Sequence, residues 1–460
     1  MAELICISPI DGREVARRQT ASPAAIAAAL TRLRLAQSAW AQVPLGERAA
    51  ILDRFLEIMR DQNEEVTIEL AWQIGRPVRY GGEFRSFAER VRYLIDLAPA
   101  ALAPMLPVDR QAGLTRYIAR VPLGIVLVVA PWNFPYLTAV NTIVPALMAG
   151  NAVLLKHSAQ SLLVGERLQA ALDAAGLPPG LFCNMTLSHD DTARILSSGS
   201  VDHITFTGSV EGGRAIERAA AGSFTSCTLE LGGKDPAYVR ADADLDFAAE
   251  NIVDGAYFNS GQSCCGVERI YVHESLYDGF VDRFAALTSQ YLLGHPLDPE
   301  TTMGPMAAPR FAAAVRAQTA DALAKGGTAL IDPAGFAANR EGSPYLMPQA
   351  VIGVDHSMAI MREENFGPLV GIMKVRDDNE AVRLMNDSDF GLTASLWTAD
   401  MAAAAIGARL EYGTVFANRC DYVDPGLAWT GVKHTGRGAS VGQLGYDGLT
   451  RPQSLHLREV

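Results

Sequence analysis

The chain has 460 residues, 49% of them hydrophobic and 20% charged, with a formal net charge of -12. That length predicts two or three domains with sizeable cores, and the composition is that of an ordinary globular chain. The acidic balance excludes a phosphate-backbone partner, which needs a concentrated basic face, and gives no reason to expect attraction to a membrane surface.

Residues 1–20 carry Asp11, Arg13, Arg17 and Arg18 and no apolar stretch, so no secretory signal is expected. Residues 104–120 have hairpin character around Gln111-Ala112-Gly113. Residues 123–130 (LGIVLVVA) form a continuous apolar run rich in Val, the mark of a strand buried on both faces, and 151–156 (NAVLLK) a second. The run at 124–131 is too short to cross a bilayer. A short helix is expected at 138–148. A longer one covers 161–175, ending at Gly176 before Pro178-Pro179.

A strand near 182–187, a helix near 190–197, a strand at 203–207, a helix at 210–221 and a strand at 227–231 follow. This alternation predicts a parallel, doubly wound α/β sheet whose ligands bind beyond the carboxyl ends of the strands. Beyond Gly233, a helix at 245–258 delivers a cysteine-bearing run, a strand covers 269–272, and Ser275 opens a helix with Asp278 as a capping-box-like partner. This second half suits its own α/β domain. The tail at 450–458 reads as a terminal strand. Neither it nor 104–120 has an evident partner within its own domain, so both are expected at subunit contacts.

Six cysteines, at 6, 183, 227, 264, 265 and 420, form no C-x-x-C pair and have no histidine at metal-ligand spacing. Free thiols, no metal and a reducing, cytoplasmic location are expected. In Gly261-Gln262-Ser263-Cys264, a flexible backbone carries a thiol past a helix end. Alone, this fits either a nucleophile or a buried structural cysteine. Glu230 precedes Gly232-Gly233, which let the backbone turn sharply after a carboxylate. It fits a general base or a solvated edge residue. In Pro131-Trp132-Asn133-Phe134-Pro135, Asn133 offers an amide donor suited to an oxyanion, or simply satisfies its own turn. Phe206-Thr207-Gly208-Ser209, with Gly213 further on, closes a strand and opens a helix, where backbone N–H groups suit a pyrophosphate. No G-x-G-x-x-G occurs there.

Taken in order, PWNFP at 131–135, LLKHS at 154–158, FTGS at 206–209, LELGGKDP at 229–236, FNSGQSC at 258–264, EENFGP at 363–368 and GVKHTGRG at 431–438 resemble the aldehyde dehydrogenase superfamily over almost the whole chain. The resemblance implies two Rossmann-like α/β domains and a small β oligomerisation arm. The cofactor domain would hold 1–103 and 123–231, the catalytic domain 232–435, and 104–122 with 436–460 would bridge subunits into a homodimer or a dimer-of-dimers tetramer. It implies NAD(P)-dependent oxidation of an aldehyde to a carboxylic acid. Cys264 would be the nucleophile, Glu230 the base for thioester hydrolysis, and Asn133 an oxyanion donor. Cofactor contacts would come from Trp132, Lys156, Ser158, Gly208, Ser209, Gly213, Leu231, Glu364 and Phe366. The substrate pocket would be walled by Phe134, Leu137, Asn141, Phe258, Ser263, Cys265, Val423 and Trp429, with Arg419 at its entrance.

Glu230 favours hydrolysis; the alternative is a coenzyme A-acylating semialdehyde dehydrogenase. A non-catalytic scaffold of the same fold is the third reading, opposed by the joint presence of Cys264, Glu230, Asn133, Lys156 and Glu364. Many NAD-preferring relatives carry Glu where this chain has Ala159. The grip on the adenine ribose and the repulsion of a 2′-phosphate are both missing, so NAD is expected with NADP as an alternative. Gly438 stands where many relatives place a proton-relay Glu. Asn141 and Val423 replace aromatic residues, which implies a wider or more polar pocket.

Overall fold

The computed structural model describes residues 2–109, 111–401 and 404–459. An antiparallel pair, Glu3–Ile7 with Glu14–Gln19, leads into four helices, Pro23–Trp40, Leu45–Asp61, Asn63–Ile74 and Phe84–Ala101. The first is capped by Ser22, whose Oγ accepts the Ala25 N–H at 3.2 Å, with Pro23 in its first turn. The third ends at Gly75 in the left-handed region.

These helices pack on a six-stranded sheet in the order Gly436–Arg437, Ser226–Glu230, His203–Thr207, Ile125–Val129, Ala152–Lys156, Phe182–Asn184. All neighbours run parallel except the antiparallel Gly436–Arg437 edge. Ile125–Val129 is buried throughout, as its apolar run predicts. The chain moves outward from this strand on one side and returns on the other. The order therefore reverses between Ile125–Val129 and His203–Thr207, and the PWNFP and FTGS segments leave the carboxyl ends of those two strands. The following helix starts at Pro135, earlier than expected, because a proline pre-sets the first helical turn.

A four-residue link after Glu230 enters a seven-stranded sheet: Thr328–Ala329, Gln349–Ile352, Leu369–Val375, Val267–His273, Asp235–Val239, Thr393–Trp397, Thr414–Ala417. Only the Thr328–Ala329 edge is antiparallel. Separate apolar clusters cover its two faces. The helix expected from Ser275 runs Tyr277–Thr288 without a side-chain cap. Ser275 instead pairs its Oγ with His273 Nδ1 at 2.8 Å, so the capping box does not form. Phe280 and Phe284 bury the helix's inner face.

The two segments without evident partners pair with each other. Leu114–Pro122 and Thr450–Arg458 form an antiparallel ribbon in register from Thr450 opposite Pro122 to Arg458 opposite Leu114. Met105 adds a bridge to Ile118, so 104–120 does have hairpin character; Arg110, within it, lies outside the described residues. Hairpin character at 104–120 and a terminal strand at 450–458 are expected from sequence, but not their pairing, because 327 intervening residues leave no local signal.

Candidate active site

The site forms where the carboxyl edge of the first sheet meets the amino edge of the second. Glu230 ends Ser226–Glu230, Cys264 precedes Val267–His273, and Glu364 precedes Leu369–Val375. The rule that ligands bind at strand carboxyl ends therefore holds for the first sheet and is inverted for the second.

The Leu245–Tyr257 helix, capped by Asp244, runs into a tight turn at Phe258–Gly261 in which Asn259 and Ser260 are left-handed. Such backbone in non-glycine residues is held only by strong local contacts. Here Asn259 Nδ2 donates to the Asn133 carbonyl at 3.2 Å, and Ser260 Oγ donates to the Gly304 carbonyl at 2.9 Å. Gln262 Oε1 accepts the Ala307 N–H at 2.8 Å. A Cβ at Gly261 would overlap the Gly367 carbonyl, and one at Gly233 would overlap the carbonyl of Cys264. The cysteine turn is thus pressed against both glycine-bearing loops. Asn133 stands behind it, its Nδ2 donating to the Gln262 carbonyl at 3.1 Å.

A buried ion pair supports the Asn133 loop. Arg76 Nη1 meets Glu83 Oε1 at 2.8 Å, and Arg76 Nη2 donates to the Asn133 carbonyl at 2.6 Å. The guanidinium lies 4.7 Å from the Phe134 ring centre, and Glu83 Oε2 accepts the Leu137 N–H at 2.6 Å.

Glu230 is buried. Its Oε2 accepts from Thr207 Oγ1 at 3.3 Å, while Oε1 has no hydrogen-bond partner. Burial raises its pKa, opposed by nearby Ser440 and Thr207 and by the charge of Arg90. Ser440 Oγ, though close to Glu230, completes no hydrogen bond in this conformation. Gly438 is left-handed, and a Cβ there would meet Thr228 Oγ1 at 2.9 Å, so the position is closed to a side chain without rearrangement.

A cavity of about 560 Å³ opens in front of Cys264 and Glu230. Phe134, Leu137 and Asn141 line one side, Phe258, Ser263 and Cys265 another, and Arg419, Val423 and Trp429 a third. Phe134 and Phe258 stack with ring centres 6.2 Å apart. Arg419 is exposed, 3.4 Å from the centre of the Tyr422 ring. The Cys265 thiol is pushed far up by its hydrogen bond with Cys264, by burial and by Asp421. It donates to Asp421 Oδ1 at 3.1 Å, and Ser263 Oγ donates to the same oxygen at 2.7 Å.

On the other side of Cys264, Trp132 stacks on Phe311 at 5.2 Å and meets Phe366 edge-on at 5.6 Å. Glu364 Oε1 accepts the Gly233 N–H at 3.0 Å, and a Cβ at Gly232 would collide with its carboxylate. Burial and the Glu268 charge raise Glu364 to about 8. Glu268 itself pairs with buried Lys234 at 2.6 Å and accepts the Asn365 and Phe366 N–H groups, each at 3.0 Å. Ser209 Oγ caps Val210–Ala220 by accepting the Gly212 N–H, with Gly208 just before it. Gly213 packs against the side chain of Leu231, which leaves no room for a Cβ. Burial lowers Lys156, and no ion pair holds it among the described residues. Ser158 caps the turn at Ala159–Ser161. The neighbouring His157 is held near 4 by burial, its Nδ1 accepting the Ser158 N–H and its Nε2 facing the Pro135 carbonyl.

The structure adds Arg76, Glu83, Arg90, Asp254 and Glu268 to the residues singled out from sequence. Only Glu268 carried a readable signal, as a charge beside Arg269 inside the buried strand Val267–His273.

Two doubly wound sheets meet around a cysteine, a buried carboxylate and a glycine-lined groove, an α/β architecture with its cavity between the two sheets. The model of the aldehyde dehydrogenase family matches residues 2–455. Betaine aldehyde dehydrogenase of Cereibacter sphaeroides is 33% identical over 459 residues, which is 99% of this chain and 94% of that one. Succinate-semialdehyde dehydrogenase [NADP(+)] of Deinococcus radiodurans is 32% identical over 445 residues, 95% and 91% of the two chains. The crystal structure of succinic semialdehyde dehydrogenase from Streptococcus pyogenes, in complex with NADP+ as the cofactor, superposes with a TM-score of 0.94 at 27% identity, covering 99% of this chain and 100% of that one. The chain belongs to the aldehyde dehydrogenase family, an oxidoreductase family whose reaction is NAD(P)-dependent aldehyde oxidation.

Proposed function

We propose that Cys264 and Glu230 carry out aldehyde oxidation to a free carboxylic acid in the cavity they share. That shared cavity is the observation that carries the assignment. The Cys264 thiolate adds to the aldehyde carbon and forms a thiohemiacetal. Its oxyanion receives the Cys264 N–H and the Asn133 Nδ2 hydrogen that Gln262 does not use. A donor of this kind is worth about 3–4 kcal/mol of barrier. Conversion to the thioester needs a hydride acceptor, the chemistry that NAD(P) supplies when bound. Glu230, ionised, then takes a proton from a water that attacks the thioester carbon, and the acid leaves as the thiol is restored. Its unpartnered Oε1 is the acceptor for that proton.

The groove fits the cofactor. Gly232 leaves space beside the Glu364 carboxylate that a Cβ would fill, and Lys156 is a buried cation without an ion pair among the described residues. Glu364 would hold the nicotinamide ribose, with Trp132, Leu231 and Phe366 around the ring. Gly208 and Ser209 would take the pyrophosphate at a helix N-terminus, with Gly213 keeping that helix close to its strand. Lys156 and Ser158 would face the adenine ribose. Ala159 presents no carboxylate against a 2′-phosphate, which supports use of either NAD or NADP. We further infer a cofactor domain of 1–103 and 123–231, a catalytic domain of 232–435, and bridging segments at 104–122 and 436–460. A cytoplasmic homodimer or dimer of dimers fits this division. No helix among the described residues is long and apolar enough to cross a membrane.

The test follows reduced nicotinamide with each cofactor across an aldehyde panel. Cys264→Ala is expected to lose at least about 1,000-fold in turnover while still binding cofactor. Turnover retained in that variant would overturn the assignment.

A further inference from the structure

One wall of the cavity, built by Phe84–Ala101 and Pro135–Met148, carries a cation that the chemistry above does not use. Arg90 lines the cavity and is 5% exposed. Its Nη1 donates to Asn141 Oδ1 at 2.9 Å and to the Leu137 carbonyl at 3.2 Å, both neutral acceptors. No carboxylate pairs with it among the described residues, and its Nε and Nη2 make no hydrogen bond to them. Buried charges are ordinarily paired, because desolvating an unpaired ion is costly. Burial lowers Arg90 only to about 10, so it stays a cation at neutral pH.

Of the acids lining the cavity, Glu230 acts on Arg90 through its charge but forms no ion pair with it among the described residues, Asp421 and Asp254 belong to other walls, and Glu89 shares the Arg90 helix. Asp421 accepts from Ser263 and Cys265, and its pKa is raised by burial. Asp254, on the Leu245–Tyr257 helix, is raised by burial and by Asp421. Glu89 Oε1 accepts the Tyr422 hydroxyl at 3.0 Å. Arg419 at the rim adds a second cation on the way in.

We propose that the cavity selects aldehydes bearing a carboxylate remote from the carbonyl carbon, and that Arg90 is the carboxylate's partner. This rests on the reading that the cavity receives the aldehyde. A guanidinium fork matches a carboxylate with two parallel hydrogen bonds, and Asn141 fixes the fork by occupying Nη1. Asn141 thereby exchanges aromatic bulk for orientation of a charge.

The test compares a short ω-carboxy aldehyde, a neutral aldehyde of the same length and a trimethylammonium aldehyde. The carboxy aldehyde is expected to exceed the neutral one in kcat/KM by at least about 10-fold, the scale of a charged hydrogen bond. Arg90→Gln collapses that ratio, chiefly through KM, and Arg90→Lys keeps part of it. The contrast is also read without turnover: the matching dicarboxylate raises the thermal midpoint of the wild type and of Arg90→Lys but not of Arg90→Gln. Three results would overturn the inference: a wild-type ratio at or below one, preference for the trimethylammonium aldehyde, or an Arg90→Gln pH profile that shifts with the ratio intact. The last would mean that Arg90 serves only the charge of Glu230. Failure of the oxidation reading looks different: no aldehyde reduces the cofactor, whatever the dicarboxylate does.

Discussion

Glu230 works against its own surroundings. Burial holds its carboxyl above the usual value of 4.5, while Thr207 and the charge of Arg90 pull it back. In its proposed role as a base, it acts only when ionised. The deacylation rate should therefore fall as pH drops through this raised value, at a higher pH than for an exposed glutamate. Single-turnover kinetics over a pH series read this directly, and a limb at or below 4.5 would contradict it. Glu230→Gln keeps the shape and removes the base. It should slow deacylation by about 100- to 10,000-fold with little change in cofactor binding. The thioester on Cys264 should then accumulate and appear in the intact-protein mass; unchanged turnover would remove Glu230 from its role. In sequence Glu230 was visible as a carboxylate beside two glycines, but its unpartnered oxygen was not.

The two loops that meet at Cys264 depend on one buried ion pair. Arg76 reaches the Asn133 carbonyl and the Asn259 side chain, and Glu83 holds the first turn of Pro135–Met148 through the Leu137 N–H. Removing one partner strands a buried charge, which typically costs about 3–5 kcal/mol. Arg76→Met is expected to lose that much in denaturant unfolding and also to lower kcat, because the oxyanion donor and the strained turn at Asn259 share this support. Combining it with Glu83→Leu should recover part of the stability but not kcat. A double variant as unstable as the sum of the singles would show that the pair is not coupled. Spacing predicted the helix before the cysteine and the flexible Gly261. It did not predict the left-handed Asn259 and Ser260, which are held by residues distant in sequence.

Across the molecule, the ribbon of Leu114–Pro122 with Thr450–Arg458 offers a long strand edge. Most of Thr450–Arg458 is exposed, as is Val108 near its base. A long exposed strand edge is a template for another chain. Deleting 450–460 should leave Leu114–Pro122 without its partner, and the proposed homodimer or dimer of dimers should then run as a monomer in light scattering after size exclusion. An unchanged mass would place the subunit contacts elsewhere. The active-site cavity is lined from 86–141, Thr207, 230–265 and 418–429, none of it within the deleted segment, so the truncated chain should keep measurable cofactor affinity.

The order of strands and helices, the parallel character of the sheets and the family's motif residues were legible in the chain alone. They depend on local periodicity, turn chemistry and short spacings, which the sequence carries directly. Which edges meet was not legible. The pairing of the ribbon, the facing of one sheet's carboxyl edge with the other's amino edge, and the support of Asn133 by Arg76 all join residues far apart in the chain. The same holds for Arg90. As one arginine among several on an amphipathic helix it has no distinguishing mark in sequence. Burial against Asn141, on the wall of the cavity that Cys264 faces, is what leaves its donors open to a substrate.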